Sequence, residues 1–352
     1  MVSALLENLL VRTDNLIERV FRSPRDREPI EFGRYLNAPE RILLVADHDL
    51  AGTCLASCFI PAIRRKFPSA EIGIVLDPRH SDLFDGLELV KTWPWANRTP
   101  HQLDSGFRRL SAELRKHDYH WGLNFSSGGR AEALLTYASG AAIRTGVSRD
   151  DSDKYYNLIV KSDSAGGQID RLVHLLCALK LEFPGGQPDI SLALTNSERQ
   201  RAQRFIRQRK NSRGDGAFIG FAPEVKPGEK AMERLLQRTC NRLTAQYEPL
   251  RMMVAGNLAP AVELKKNEQL SAHLVLFDNL RQMVGALAYC DRVVTGSAGL
   301  AWLLGRMGAR VALIATGKDR LAELGIKIPD NLTIIRDSDE GGAEELAVRF
   351  TK

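Results

Sequence analysis

Short apolar runs alternate with helical stretches along the chain, in two successive sets. Runs of this length and composition are typical of buried parallel strands. The first set comprises residues 41–46, 71–76, 120–125 and 142–147, and the second comprises 217–222, 252–255, 274–277, 292–295 and 311–315. A strand, a helix and a second strand in succession imply a parallel crossover. The sequence therefore predicts an α/β fold with two doubly wound domains that face a cleft.

This alternation divides the chain into three predicted segments, 1–40, 41–195 and 196–352. Residues 1–22 carry an apolar stripe at helical spacing and predict an amphipathic helix. Because its charges balance, we expect it to dock on this protein or on a second subunit, with a membrane surface as the alternative. The prolines in residues 23–40 predict a linker. The spacing of Thr195 and Glu198 predicts a helix with a capping box at the start of the second domain.

The composition limits the partners. The 352-residue chain carries a net charge of +6, which favours phosphate-bearing or membrane-surface partners. Residues 199–213 are rich in arginine, but apolar positions among them mark a buried face and no aromatic platform follows. The charged residues are therefore interpreted as the solvated face of a helix, and no nucleic-acid partner is expected. No apolar run reaches the roughly 18–20 residues that cross a bilayer.

The cysteines indicate the compartment. They are scattered and odd in number, which favours a reducing environment and predicts a cytoplasmic protein. Cys54 and Cys58 lie in an apolar helical stretch, where burial is a better interpretation than metal binding. The histidines have no metal-ligand spacing either, so no metal is expected.

Candidate binding loops follow the predicted strands, because ligands of doubly wound sheets bind at the carboxyl ends of the strands. These loops are residues 47–53, 126–130, 222–230, 256–259 and 295–299. The last of them combines small residues with the start of a helix, which suits a phosphate or diphosphate, although such turns are also common structural features. It matches neither the P-loop pattern nor the glycine pattern of dinucleotide-binding domains, which disfavours a dehydrogenase.

Charged side chains in these loops are candidates for catalysis and phosphate binding. Asp47, His48 or Asp49, at the end of the first strand, can act as a general base, or the aspartates can cap the following helix. Lys230 can neutralise a phosphate or remain an exposed loop lysine.

Two further features have both a binding and a structural interpretation. Ser126 and Arg130 can hold an anion or form a tight turn before a helix. Trp93 and Trp95 flank a proline and can line a sugar site or cover the core of the first domain.

The order of these segments resembles the bacterial glycosyltransferase family 9, which includes the lipopolysaccharide heptosyltransferases, over about residues 40–345. The segments that carry the resemblance are 42–45, 50–52, 61–68, 118–126 and 279–299. The resemblance implies a GT-B fold of two Rossmann-like domains. It also implies inverting, metal-independent transfer of a heptose-like sugar to a lipopolysaccharide-core or related glycan acceptor. The implied co-substrate is an ADP-linked nucleotide sugar, with no further cofactor, and the implied location is the cytoplasm or the inner face of the cell membrane.

The family's site residues correspond only in part to this sequence. Thr53 stands where the family has an aspartate base, directly after Gly52. In the donor loop Gly299 is kept, whereas the family's three polar positions are occupied by Ser297, Ala298 and Trp302. Lys230 corresponds to a phosphate-binding lysine, and Asp278 to a position near the adenine.

Two functional interpretations follow from the resemblance. In an active enzyme, Asp49 or Asp47 replaces the missing base, Lys230 and the backbone of Gly296–Gly299 hold the diphosphate, and the acceptor is bound by Gly52, Ser126 and Arg130. Alternatively, the chain is a catalytically inactive module that binds a nucleotide sugar, a glycolipid or a partner transferase.

Overall fold

A computed structural model describes most of the two predicted domains. The described residues are 32–96, 105–127, 129–147, 153–161, 167–182, 194–211, 217–222, 238–239, 241–242, 252–257, 274–315 and 320–336. The predicted helix in residues 1–22 and Lys230 lie outside them.

The first half of the described chain forms one parallel sheet with its helices. Its strands are β1 (Arg41–Val45), β2 (Glu71–Leu76), β3 (Val90–Pro94), β4 (Trp121–Asn124), β5 (Ile143–Val147) and β6 (Leu158–Val160). Its helices are α1 (Phe32–Asn37), α2 (Leu50–Lys66), α3 (Ser105–Lys116), α4 (Arg130–Ala138) and α5 (Gln168–Ala178), with 3-10 turns at Pro78–Phe84 and Asp153–Tyr155. The strand order is β3-β2-β1-β4-β5-β6.

The second half repeats this architecture. Its strands are β7 (Ile219–Ala222), β8 (Met252–Asn257), β9 (Leu274–Phe277), β10 (Arg292–Thr295), β11 (Val311–Ala315) and β12 (Leu332–Arg336). Its described helices are α6 (Asn196–Asn211), α7 (Leu280–Leu287), α8 (Ala298–Arg306) and α9 (Arg320–Leu324). The strand order is β12-β11-β10-β7-β8-β9.

Both sheets therefore have the same doubly wound order, and the predicted fold class is confirmed. In each sheet the order reverses beside the first strand, between β1 and β4 and between β7 and β10. Ligands of such sheets bind outside the carboxyl ends of the strands at this reversal. The loops after β1, β4 and β10 are therefore the parts of the described chain where a site is expected.

Burial explains why the central strands were readable from the sequence. Residues Ile42, Leu43, Leu44 and Val45 of β1 are fully buried because helices cover both faces of the sheet. Replacing Leu44 by alanine would cost roughly 2–5 kcal/mol through lost burial and a residual cavity. Cys54 and Cys58 are also buried in the core, as expected.

Three local predictions differ from the structure. The helical stretch that contains Cys54 and Cys58 begins earlier, at Leu50 within the predicted binding loop 47–53, because Asp49 caps it. The predicted linker contains the short helix α1. Trp93 lies in β3, and both Trp93 and Trp95 are buried in the core, so their interpretation as the lining of a sugar site is wrong.

Candidate active site

The turn after β1 is built around two aspartates with different partners. Asp49 caps α2, and its Oδ1 accepts a 2.8 Å hydrogen bond from the backbone nitrogen of Gly52. Asp47 instead reaches the loop after β4, where its Oδ1 accepts hydrogen bonds from the nitrogen of Ser127 at 2.9 Å and from its hydroxyl at 3.2 Å. The capping interpretation therefore applies to Asp49, while Asp47 joins two loops of the first sheet.

Gln168, at the start of α5, fixes Asp47 from a third element. Its Nε2 donates to Asp47 Oδ2 at 3.2 Å and to the carbonyl oxygen of Phe125 at 2.6 Å. The Asp47 side chain is 11% exposed, against 24% for Asp49. Asp47 is thus the more enclosed of the two carboxylates.

Arg320, at the start of α9 in the second half, pairs with both aspartates. Its Nε lies 2.8 Å from Asp49 Oδ2 and its Nη2 lies 2.9 Å from Asp47 Oδ2. Glu323, on the same helix, is 3.5 Å from its Nη1. Burial opposes the charge of Arg320, but the carboxylates of Asp49 and Asp47 outweigh it and raise the pKa of Arg320.

Sequence reasoning did not find Arg320. It is 271 residues from Asp49 along the chain, and no local motif surrounds it. The signal that was available is its place a few residues after the predicted strand β11, at the sheet edge where ligands bind.

The predicted donor loop forms the start of α8. Ser297 is the N-cap, and its hydroxyl accepts a 3.3 Å hydrogen bond from the backbone nitrogen of Leu300. The hydroxyl of Thr295 accepts from the nitrogen of Ser297 at 3.1 Å and donates to the carbonyl oxygen of Ala222 at 2.8 Å. The loop is therefore a rigid strand-to-helix turn at the reversal of the second sheet.

The donor loop and the acidic turn are in direct contact. A Cβ added to Gly299 would lie 2.7 Å from the carbonyl carbon of Leu50, and closer still to the nitrogen of Ala51. Only glycine allows the first turns of α8 and α2 to approach so closely. The cleft expected between these two places is consequently closed at Gly299 in this arrangement.

A second glycine contact joins the two halves near Arg320. A Cβ added to Gly167 would lie 2.7 Å from the carbonyl carbon of Leu324, and closer to the backbone of Gly325. Gly325 also has a φ of 74°, a conformation that favours glycine. Close backbone packing therefore flanks the ion pairs of Arg320.

Thr53, which occupies the family's base position, is fully buried. Its hydroxyl lies 3.1 Å from Nδ1 of His80, a side chain that is 2% exposed. Burial lowers the pKa of His80 to about 4, so this histidine is neutral at physiological pH. Thr53 is thus part of the core and has no access to a substrate in this arrangement.

His48, the third candidate base of this turn, faces a different carboxylate. Its Nε2 lies 3.0 Å from Asp77 Oδ2. Burial raises the pKa of Asp77, but hydrogen bonds from Arg79 outweigh that effect and hold this pKa below its ordinary value. His48 therefore interacts with a charged carboxylate outside the Asp47–Asp49–Arg320 cluster.

The other predicted site residues are distributed around the junction, that is, the contact between the turn after β1 and the start of α8. Gly52 and Ser126 are buried, Arg130 begins α4 and is half-buried, and Gly296 and Ala298 are half-buried beside Ser297. Asp278 is exposed at the end of β9, and Trp302 is 1% exposed within α8. The structure thus brings together the turn after β1 with its two aspartates, the loop after β4 with Ser126, and the donor loop before α8. Trp302 belongs to the core.

Among the residues that the structure describes, no three His, Cys, Asp or Glu side chains form a group suited to a metal ion. Every described helix is too short or too polar to span a bilayer.

Solved structures with a similar fold include glycosyltransferases. The E. coli ADP-heptose lipopolysaccharide heptosyltransferase II has a TM-score of 0.59 at 15% identity, covering 84% of this chain and 90% of its own. A glycosyltransferase family 9 protein from Veillonella parvula has a TM-score of 0.63 at 14% identity, covering 88% and 95%. The E. coli heptosyltransferase WaaC with ADP also has 0.63 at 14%, covering 88% and 98%.

The chain has a GT-B fold. At such low identities these likenesses establish the fold alone. The sequence matches no protein-family model, and no curated protein matches it. Function must therefore be argued from the junction itself.

Proposed function

We propose that this GT-B protein is a nucleotide-sugar-dependent glycosyltransferase whose site is the junction between the turn after β1 and the start of α8. The observation that supports this most is the contact of these two places, which joins the candidate base Asp49 to the predicted phosphate loop near Gly299. As donor we propose an ADP-linked, heptose-like sugar, and as acceptor a lipopolysaccharide-core or related glycan. The heptosyltransferases that share the fold are named for ADP-heptose or contain ADP.

Asp49 is the better candidate for the base. Asp47 Oδ1 is engaged by Ser127 and its Oδ2 by Gln168 as well as by Arg320. Asp49 is more exposed, and its Oδ1 is held by the helix backbone while its Oδ2 faces Arg320. One oxygen therefore fixes the side chain, while the other can reach an acceptor hydroxyl only when its ion pair with Arg320 opens.

The proposed reaction transfers the sugar in one displacement. The acceptor hydroxyl loses its proton to Asp49 as its oxygen bonds to the anomeric carbon. The bond between that carbon and the diphosphate oxygen breaks, and the nucleoside diphosphate leaves with the electron pair. Attack opposite the leaving group inverts the anomeric centre, and Lys230 with the N–H groups at the start of α8 offsets the developing charge without a metal.

Substrate access requires the two halves to separate. The first turn of α8 packs on Leu50 and Ala51, so a diphosphate can approach it only when this contact opens. Hinge opening between two domains is a common route of substrate entry.

A binding assay followed by a transfer assay tests the proposal. Thermal unfolding with ADP, GDP and UDP should show stabilisation by one of them, roughly 2.7 kcal/mol at 100 times its dissociation constant. Transfer is then measured as release of the nucleoside diphosphate from the matching nucleotide sugar in the presence of core-oligosaccharide acceptors. Asp49→Asn, which can still cap α2, should slow release by about 10²–10⁴, while Asp330→Asn at an exposed position should not.

A catalytically inactive module is the second candidate. It is favoured by Arg320, which pairs with both aspartates, and by the burial of Thr53. Such a module would bind a nucleotide sugar, a glycolipid or a partner transferase. Nucleotide binding without release from any ADP-, GDP- or UDP-sugar would support it over the enzyme.

The remaining expectations complete the proposal. We propose a division into segments 1–40, 41–195 and 196–352, a cytoplasmic location that extends to the inner face of the cell membrane, and a protein contact or self-association through residues 1–22. Deleting residues 1–22 and measuring the oligomeric state and the co-purifying partners would test that last role.

A further inference from the structure

Arg320 lies beyond the carboxyl ends of the strands of the second sheet, on the same side as the donor loop. β10 and β11 are neighbouring parallel strands, with Thr295 paired to Leu313. The donor loop follows β10, and Arg320 follows β11. A guanidinium at this edge is within the region where a doubly wound sheet holds an anionic ligand.

Arg320 is shared by several carboxylates. Three of them, those of Asp47, Asp49 and Glu323, lie within 3.5 Å of the one guanidinium, so among these four described side chains negative charges are in excess. A diphosphate that approaches the donor loop would meet this excess. Guanidinium binds phosphate oxygens and carboxylates through the same planar pair of N–H donors, so the two kinds of anion compete for it.

Both aspartates have anchors that do not depend on Arg320. Asp49 Oδ1 is held by the nitrogen of Gly52, and Asp47 is held by Ser127 and Gln168. If Arg320 moved to another anion, the two carboxylates would stay in position. Departure of Arg320 would remove a cation from Asp49 Oδ2, the oxygen assigned to the acceptor proton.

We propose that Arg320 is a donor-binding residue that exchanges partners. In this arrangement it pairs with Asp47 and Asp49, and with a nucleotide sugar bound it contacts the diphosphate and leaves Asp49 Oδ2 for the acceptor hydroxyl. This inference rests on the proposed transferase function. It deepens that function by assigning Arg320 as the residue through which donor binding breaks the ion pair of the base Asp49.

Exchange predicts opposite effects for two changes within one ion pair. Removing the guanidinium removes a phosphate contact and weakens diphosphate binding. Removing the Asp49 charge removes one of the carboxylates that compete for the guanidinium and so strengthens diphosphate binding, although the same change impairs transfer. A purely structural ion pair would make both changes act in the same direction.

Calorimetric titration of the full chain with ADP, GDP and UDP tests this pair of effects. Arg320→Gln should raise the dissociation constant of the most tightly bound nucleoside diphosphate roughly tenfold, which corresponds to about 1.4 kcal/mol. Arg320→Lys should recover part of the lost affinity. Asp49→Asn should tighten binding several-fold. Arg310→Gln, an exposed arginine at the amino end of β11, is the matched control and should bind as the wild type does.

The outcomes separate this inference from the proposed function. Unchanged affinity in Arg320→Gln, or weaker binding in Asp49→Asn, overturns the exchange and leaves the transferase proposal standing. A wild type that binds none of the three diphosphates overturns the transferase proposal and the exchange with it. Should Arg320→Gln fail to fold by circular dichroism, the sign of the Asp49→Asn effect decides alone.

Discussion

Arg281 and Arg320 both extend from the second half of the chain to the first, but their ion pairs are arranged differently. The guanidinium of Arg281 pairs with Glu198 of α6, in its own half, at 2.6 and 3.0 Å. Its contact with the first half is made by its backbone nitrogen, which donates to Asp82 at 2.5 Å, and by a 3.4 Å hydrogen bond to the carbonyl oxygen of Leu83. Arg320 instead pairs with two carboxylates of the first half.

This difference separates a structural arginine from one that responds to domain motion. When the two halves move apart, the Arg281–Glu198 pair stays intact because both partners move together. The pairs of Arg320 with Asp47 and Asp49 must break. Under the proposed function, the Arg320 ion pairs are therefore where opening of the two halves, donor binding and the charge of Asp49 are coupled.

The largest expected difference between the Arg281 and Arg320 ion pairs is in their effect on the rate of sugar transfer. Asp49→Asn should lower the rate of sugar transfer by about 10²–10⁴, the usual contribution of a general base. Glu198→Gln should leave the rate within a few-fold of wild type, because Glu198 contacts Arg281 and Thr195 and lies outside the Asp47–Asp49–Arg320 cluster. Initial rates of diphosphate release measure both variants, and equal losses would erase the distinction.

A second expected difference is in stability. Arg281→Ala should reduce the free energy of unfolding by about 3 kcal/mol, since the side chain is only 7% exposed and its loss removes the ion pair with Glu198 and the hydrogen bond to Leu83. Arg320→Ala should cost only about 1 kcal/mol, because its carboxylates retain other donors and are partly hydrated. Urea denaturation measures both changes. A larger loss for Arg320 would reverse the assignment of the structural role.

The smallest expected effect is the acid sensitivity of the Arg281 junction. A hydrogen bond from Arg281 is the main cause that lowers the pKa of Glu198 to about 2. Because the folded-state pKa is depressed, the stabilisation is present above the unfolded value near 4.5 and is lost as the pH falls towards 2. After allowance for solvent exposure, wild type should lose about 1 kcal/mol more than Glu198→Gln between pH 5 and pH 2. Parallel pH profiles of the two proteins would contradict this.

The sequence predicted the central strands well, for a physical reason. The strands Arg292–Thr295 and Val311–Ala315 match their predicted bounds, because a strand covered on both faces is a continuous apolar run. The edge strand Leu274–Phe277 also matches its predicted bounds, because all four of its residues are apolar. The strands β3, β6 and β12 were missed. All three lie at the sheet edges, where polar residues such as Lys91 and Thr333 interrupt the apolar pattern of β3 and β12, and where β6 is only three residues long.

The site was only partly predictable, because its decisive contacts are non-local. The loops near Asp49 and Gly299 follow from strand ends and could be located. Their direct contact, and the pairing of Asp49 with Arg320, depend on how two separately folded sheets dock. No periodicity or short motif encodes that docking, so neither contact was visible before the structure.

A crystal structure with the nucleoside diphosphate that binds most tightly would test the central claim most directly. The account predicts that the halves separate at Gly299, that the diphosphate lies within hydrogen-bonding distance of Arg320 and the first turn of α8, and that Asp49 Oδ2 no longer contacts Arg320. A diphosphate bound elsewhere, with the Arg320–Asp49 pair and the Gly299–Ala51 contact unchanged, would contradict it.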